Sequence, residues 1–532
     1  MPRAQLAALA TVPVCALPAA AIAVAVAVLA GCAVGPSERP AVAVRDAPLP
    51  PAPRPTPTAS AVPLPGLEPS GTDTIDFVDC TGATRQRLGA AATRELRYEC
   101  GSVTVDLNPD EPRRRAGIGD IHLLRTGTGP VPLMIVGDVG GEPGSLLAAR
   151  LANQVPPELL SSFSLVGVDR RGTGGSEPVR CVPGDVRERL IAIDPGGVLP
   201  AAAQDVLDAA NEATRTCVQQ IEDLLPLIDS WRAAGDLEQV RKALAANRLN
   251  AIAVGDGSRV LSAYLGRFTQ TAGRVVLDGA PDPTLDAIAA GQDLAAAAEH
   301  AFDLFASACA AAGCPLMPDP RQALTGAAAA LRARPVNATN GTTVGAGTLF
   351  SAVLVGLADT AQWPALFAAI ADAGRGEVDG VARLVRPLLD SGTSEPARLD
   401  AVLLTACNDT ATRVPPDRVG QLAEEWRGRA PLFGPLFAQR LLICSPAPVP
   451  TRTVPAPRAA NTPPVLVLGT DGDPVTPPLG TQRMAEALAA GLLVTWQGSG
   501  HGAFPRTPCV TSAVQAFLVD GALPRSGTVC PP

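Results

Sequence analysis

The sequence predicts an α/β fold in which a mostly parallel central sheet carries an inserted, mainly helical cap. Three observations predict it. Short apolar runs alternate with helical patterns up to residue 283, several ending in turn-rich or glycine-rich loops. Strand signals fade across residues 284–455, where alanine-rich helical stretches are broken by Pro and Gly. The β–α alternation then resumes from residue 456 onward. A chain of 532 residues with 47% apolar content can bury one large core and a second packed unit.

Taken in order, Arg3 opens a short basic stretch, and an uncharged apolar run extends from Leu6 to Gly31. Leu29-Ala30-Gly31-Cys32 has the form of a bacterial lipobox, where the peptide is cut before Cys32 and its thiol takes a diacylglycerol. Residues 1–31 would then be a signal peptide and Cys32 the membrane anchor. The same run is long enough to remain as a membrane-spanning anchor. Either way the rest of the chain lies outside the cytoplasm. Residues 32–72, rich in Pro and Ala, read as an extended spacer. The first part of the core spans 73–283. Within it Glu99–Leu107 and Asp120–Arg125 pair as strands, while Pro132–Val136 and Ser164–Val168 have the continuous apolar character of buried parallel strands. Leu237–Ala245 is helical, 249–254 is a strand, and Gly273–Leu277 is the next strand. The cap, 284–455, holds helices at Leu285–Ala312, Arg321–Arg334, Gln362–Ala373 and Asp417–Gly428. The core's second part, 456–532, runs strand Val465–Leu468, helix Leu479–Leu488, strand Leu492–Gln497 and helix Thr511–Leu518.

A net charge of −8 argues against nucleic acid or an anionic membrane surface as the main partner, and 3% aromatic content disfavours a base-stacking platform. Of the 12 cysteines, Cys15 lies in the leader and Cys32 in the lipobox, leaving an even ten. In an exported protein an even remainder points to disulfides. Sequence neighbours suggest 80–100, 181–217, 309–314, 407–444 and 509–530, although spacing alone does not fix the connectivity. No CxxC pair or Cys/His cluster suggests a metal, and no organic cofactor is implied.

The chemistry concentrates at Leu249–Ser258, a strand running into a glycine-rich turn. A helix follows, with Val260, Tyr264 and Phe268 on one stripe. This is the layout of a nucleophile elbow, the sharp turn that lifts a reactive oxygen to the top of an α/β-hydrolase sheet. An acid, Asp473, and a base, His501 between Gly500 and Gly502, follow in the order elbow, Asp, His that this fold uses. Asp471 competes with Asp473 as the acid. Where the reactive serine belongs, the chain carries Gly255.

Five motifs in order resemble the secreted actinobacterial α/β-hydrolases of the tripeptidyl-aminopeptidase and proline-iminopeptidase-like group. Gly167–Ser176 is similar to that family's G-x-D-x-R-G-x-G-x-S stretch, with Cys181 after it. Leu277-Asp278-Gly279 with Asp282-Pro283, Asp473-Pro474-Val475-Thr476-Pro477, Gly500-His501-Gly502 and the ending Gly521–Cys530 resemble its later motifs. The resemblance covers about Cys80 to Cys530. It implies an α/β-hydrolase fold with a helical cap, exopeptidase ancestry, Asp473 as triad acid and His501 as base. The family elbow G-x-S-x-G-T falls on Ala253, Val254, Gly255, Asp256, Gly257 and Ser258, which makes Gly255 a vacant nucleophile position.

Acyl transfer needs an oxygen or sulfur that His can deprotonate, and glycine offers neither. One oxyanion donor should be the Asp256 N–H and the second should come from the loop Gly137–Gly144. Asp138, Glu142 and Asp256 place carboxylates where negative charge would develop. Three readings follow. The protein keeps the cleft and binds a peptide, an acyl small molecule or an envelope component without cleaving it. Alternatively it is an active peptidase or esterase with Asp256 or Ser258 as a non-standard nucleophile, Ser499 lying on the wrong loop. Third, it is a purely structural envelope lipoprotein.

Overall fold

A computed structural model describes residues 62–109, 117–197, 199–390, 396–457 and 461–532. The expected signal peptide, Cys32 and most of the expected spacer lie outside the described residues.

The sheet is built from β1 (Val78–Asp79), β2 (Glu99–Asp106), β3 (Ile118–Thr126), β4 (Val131–Val136), β5 (Phe163–Val168), β6 (Leu249–Val254) and β7 (Ala272–Asp278). A small separate hairpin, β8 (Val336–Asn337) with β9 (Thr343–Val344), belongs to the helical layer. The sheet resumes with β10 (Val465–Gly472), β11 (Gly491–Ser499) and β12 (Thr528–Cys530). The strand order is β1-β2-β3-β5-β4-β6-β7-β10-β11-β12. Pairs from β1 through β3 to β5 are antiparallel, and every pair from β5 to β12 is parallel.

Residue chemistry explains the arrangement. Strand β4 reads Val-Pro-Leu-Met-Ile-Val and is buried at every position, as a central parallel strand covered on both faces must be. In β6, Ala251 and Ala253 face one apolar cluster while Ile252 faces the other, the period-two alternation of a strand. Helices Ser230–Ala243, Gly257–Arg267 and Pro478–Ala487 cover the first face. Helices Gly144–Ala152, Pro157–Ser162 and Pro508–Gln515 cover the second. The helix expected at Leu237–Ala245 begins earlier, at Ser230, because the Asp229 side chain accepts the Arg232 N–H and caps it.

The helical layer has its own core, centred on Phe302, Phe305, Phe350, Trp363, Phe433 and Leu436. It also draws in Gly184–Ile191 and Ala201–Ile221, which precede the elbow in sequence. Those two helices, and Ala346–Leu357, Asp379–Leu389 and Arg398–Asp409, are additions to the elements expected from the sequence. Ala346–Leu357 is buried at ten of its twelve positions, so little polar face remains to mark a period. All five expected disulfides are present: 80–100, 181–217, 309–314, 407–444 and 509–530. Such a set belongs to a protein that folds outside the reducing cytoplasm. Among the described residues no helix is long and apolar enough to cross a membrane.

Candidate active site

The elbow follows from two close approaches. Gly255 closes β6 with φ of +60°, in the left-handed region, and its N–H donates to the Asp278 carbonyl at 3.0 Å. Two residues on, a Cβ at Gly257 would sit 2.8 Å from the Val136 carbonyl oxygen and 2.9 Å from that of Gly137. Only glycine lets the helix Gly257–Arg267 start this near the end of β4.

His501 stands opposite, on the loop after β11. Its N–H donates to the Ala358 carbonyl at 2.7 Å, which ties the loop to the cap helix Ala346–Leu357. The Asp278 carboxylate accepts the Ala503 and Phe504 N–H groups at 2.7 and 2.9 Å, holding the loop from below. His501 Nδ1 lies 3.0 and 3.1 Å from the two carboxylate oxygens of Asp473. Asp473 is oriented by its own loop: Oδ1 accepts from the Val475 and Thr476 N–H groups, and Oδ2 from the Thr476 hydroxyl at 2.6 Å. The Asp-Pro-x-Thr-Pro pattern is therefore a device that buries a carboxylate with its lone pairs engaged. Asp471 is half exposed and lies 3.6 Å from His300, away from this pair.

The other ring nitrogen faces a carboxylate. Asp138, from the loop after β4, places Oδ2 at 3.4 Å from His501 Nε2, and both side chains are about 15% exposed. Nε2 is buried without an aligned hydrogen bond, so the contact is one of charge. A Cβ built on Gly255 would lie 2.8 Å from Nε2 and well inside contact distance of Asp138 Oδ2. The Asp138 carboxylate thus occupies the space a residue-255 side chain would need.

The profile of the TAP-like protein family matches residues 430–530. The serine protease Hip1 of Mycobacterium tuberculosis is 28% identical over 460 residues, 81% of this chain and 87% of that protein. Carboxylesterase B of the same organism is 27% identical over 468 residues, covering 83% and 88% of the two chains. The tripeptidyl aminopeptidase of Streptomyces lividans is 25% identical over 451 residues, covering 82% and 84%. The fold is that of the α/β-hydrolases, and the chain is similar to these hydrolases over most of its length.

Within this site, neither alternative nucleophile meets the base. Ser258 is fully buried at the start of the elbow helix, and its hydroxyl donates to the Gly279 carbonyl at 3.2 Å. Asp256 turns toward the loop after β4: its Oδ1 accepts the Val139 N–H at 2.8 Å and pairs with Arg170 at 2.7 Å. A one-residue slip that would aim Asp256 at His501 does not occur, because Gly255 and Gly257 fix the register of the turn. Glu142 is also turned away, into an ion pair with Arg150.

The same contacts engage the loop's donors. Val139 N–H is taken by Asp256, Gly140 N–H by Asp138 Oδ1 at 3.0 Å, and Gly141 N–H by the Asp138 carbonyl. Internal carboxylates thus stand where an oxyanion would call on backbone amides.

Electrostatics follow from this packing. Burial lowers the proton affinity of His501, but Asp473 and Asp138 on its two edges outweigh it and hold the ring well above its ordinary range. Burial raises Asp138, yet the His501 imidazolium, the Gly140 N–H and the Asp256 carboxyl bring it well below the usual carboxylate range. Burial, with the Asp138 and Asp409 charges, pushes Asp256 up to about 7 against the opposing pull of Arg170 and the Val139 N–H. Both carboxylates favour the protonated imidazole, the form that has no free lone pair to take a proton.

A cavity of about 160 Å³ adjoins the site, lined by Asp138, Arg170, Glu142, His122 and the cap residues Ala397 and Ala401. Ligand pockets commonly run to roughly 300–1,000 Å³, so with the cap seated this space admits a group of a few non-hydrogen atoms.

The sequence pointed to a carboxylate at Asp138 but not to its partner. Arg170 and Thr476 were visible only as letters in motifs, and Asp278 as a strand end. Their signal was the motif spacing; their roles required the fold.

Proposed function

We propose that this protein is an exported, lipid-anchored member of the TAP-like α/β-hydrolases that binds a peptide or acyl ligand beneath its cap without hydrolysing it. The observation that carries the reading is the Asp138 carboxylate facing His501 Nε2 across Gly255, where acyl transfer needs a nucleophilic oxygen. The two carboxylates on His501 support it further, since they favour its protonated form and a general base must begin unprotonated. The lipobox at Cys32 and the disulfides support export and anchoring.

The test is mass spectrometry of the folded, oxidised domain after treatment with a fluorophosphonate probe. No adduct is expected on any residue, and an adduct on Ser258 would overturn the reading. A peptide series screened by thermal shift should contain members that raise the melting temperature and are recovered intact. Anchoring is read by metabolic labelling with a fatty acid, which Cys32→Ala should abolish.

A further inference from the structure

We propose that the space above Gly255 is a binding site for a small monocarboxylate, which the chain fills with its own Asp138. Two groups would hold it. One oxygen of the Asp138 carboxylate meets the His501 ring at 3.4 Å, and the other accepts the Gly140 N–H at 3.0 Å. An anion of formate or acetate size would use the same two donors, one charged and one from the backbone. Asp473 fixes the far edge of the imidazole, so the ring keeps its orientation whether or not Asp138 is present. The adjoining cavity of about 160 Å³, walled by Asp138 itself, supplies the approach.

Removing the carboxylate leaves the buried Nε2 facing an empty space, and an unpartnered buried donor is costly enough to favour an incoming anion. In the unmodified chain the tethered carboxylate holds an effective concentration that free carboxylates at millimolar levels do not match. The inference rests on the non-hydrolytic reading only in that His501 is already engaged. Its test reads anion binding rather than turnover, so the two fail independently.

The experiment compares the unmodified protein with Asp138→Gly, Asp138→Ala and Asp138→Asn, titrated with sodium formate or acetate against sodium chloride at constant ionic strength. Melting temperature and the His501 ring resonances are followed together. Asp138→Gly and Asp138→Ala should melt lower than the parent, and their His501 should lose its proton at lower pH. Formate or acetate should reverse both changes saturably, with a melting-temperature rise of about 1–3 °C. The parent and Asp138→Asn, whose amide still fills the space, should show no saturable response. The proposal is overturned if neither Asp138→Gly nor Asp138→Ala responds to the carboxylates, or if the parent responds equally. If both variants fail to fold in chloride, their recovery in acetate supports it and their failure there overturns it.

Discussion

Installing the absent serine is the most direct perturbation of this site, and the structure predicts that Gly255→Ser by itself will not succeed. The residue has φ of +60°, a region that costs an L-residue about 1–2 kcal/mol. The new Cβ would also drive Asp138 Oδ2 from its place, breaking a contact with a charged histidine. Disrupting one side of a buried ion pair costs about 3–5 kcal/mol, which brings the total to about 4–7 kcal/mol. That is a large share of the roughly 5–15 kcal/mol that stabilises a folded domain. In an Asp138→Gly background the space is clear, the serine hydroxyl can meet Nε2, and the Gly140 N–H is released. The two substitutions should therefore be strongly non-additive, the double variant being about 3 kcal/mol more stable than the sum of the singles predicts. Urea unfolding gives the energies and fluorophosphonate labelling reports the nucleophile. Labelling is expected in the double variant and not in Gly255→Ser. Additivity within about 0.5 kcal/mol, or equal labelling of single and double variants, would refute the idea that Asp138 occupies the nucleophile's space.

Asp256 holds its proton more tightly in the folded state, with a value raised to about 7 from an ordinary 3.8. Its contribution to stability is complete below pH 3.8 and lost as the pH rises through 7, so Asp256→Asn should flatten the decline in stability across that window, measured by urea unfolding at a series of pH values. Asp278, raised to about 6 by burial, acts in the same direction and should leave a residual slope in that variant. Asp473→Asn removes the larger of the two charges that hold the His501 proton, so the ring should titrate at lower pH in an NMR titration; an unchanged titration would contradict the assigned pairing. Replacing Cys407 and Cys444 by Ser unclips the cap helix beside the cavity, a 37-residue separation, and should cost about 2–4 kcal/mol by chemical denaturation while leaving the His501 titration unchanged.

Much of the architecture was legible because it depends on local patterns. Apolar runs such as Val131–Val136, short and bounded by Gly129-Pro130 and Gly137, suit a strand covered on both faces. The acid and base loops were legible because Pro, Thr and Gly at fixed offsets perform local tasks: Thr476 hydrogen-bonds Asp473 three residues away. The helix at 346–357 was not, since a segment buried on nearly every side loses the period that marks a helix, whereas 379–389 keeps a one-sided apolar pattern that could have marked it.

The amino-acid order alone determined that residue 255 has no side chain, that Asp473 and His501 follow it in the sequence expected of this fold, and that ten cysteines remain to pair. Tertiary structure decided what stands in the vacated space. Asp138 lies 117 residues before Gly255 and 363 before His501 in the numbering, and no periodicity links them. They meet because β4 and β6 are parallel neighbours whose carboxyl ends share one edge of the sheet, and because β11 delivers the histidine to that same edge. A carboxylate's partner is set by through-space distance and burial, and sequence separation encodes neither.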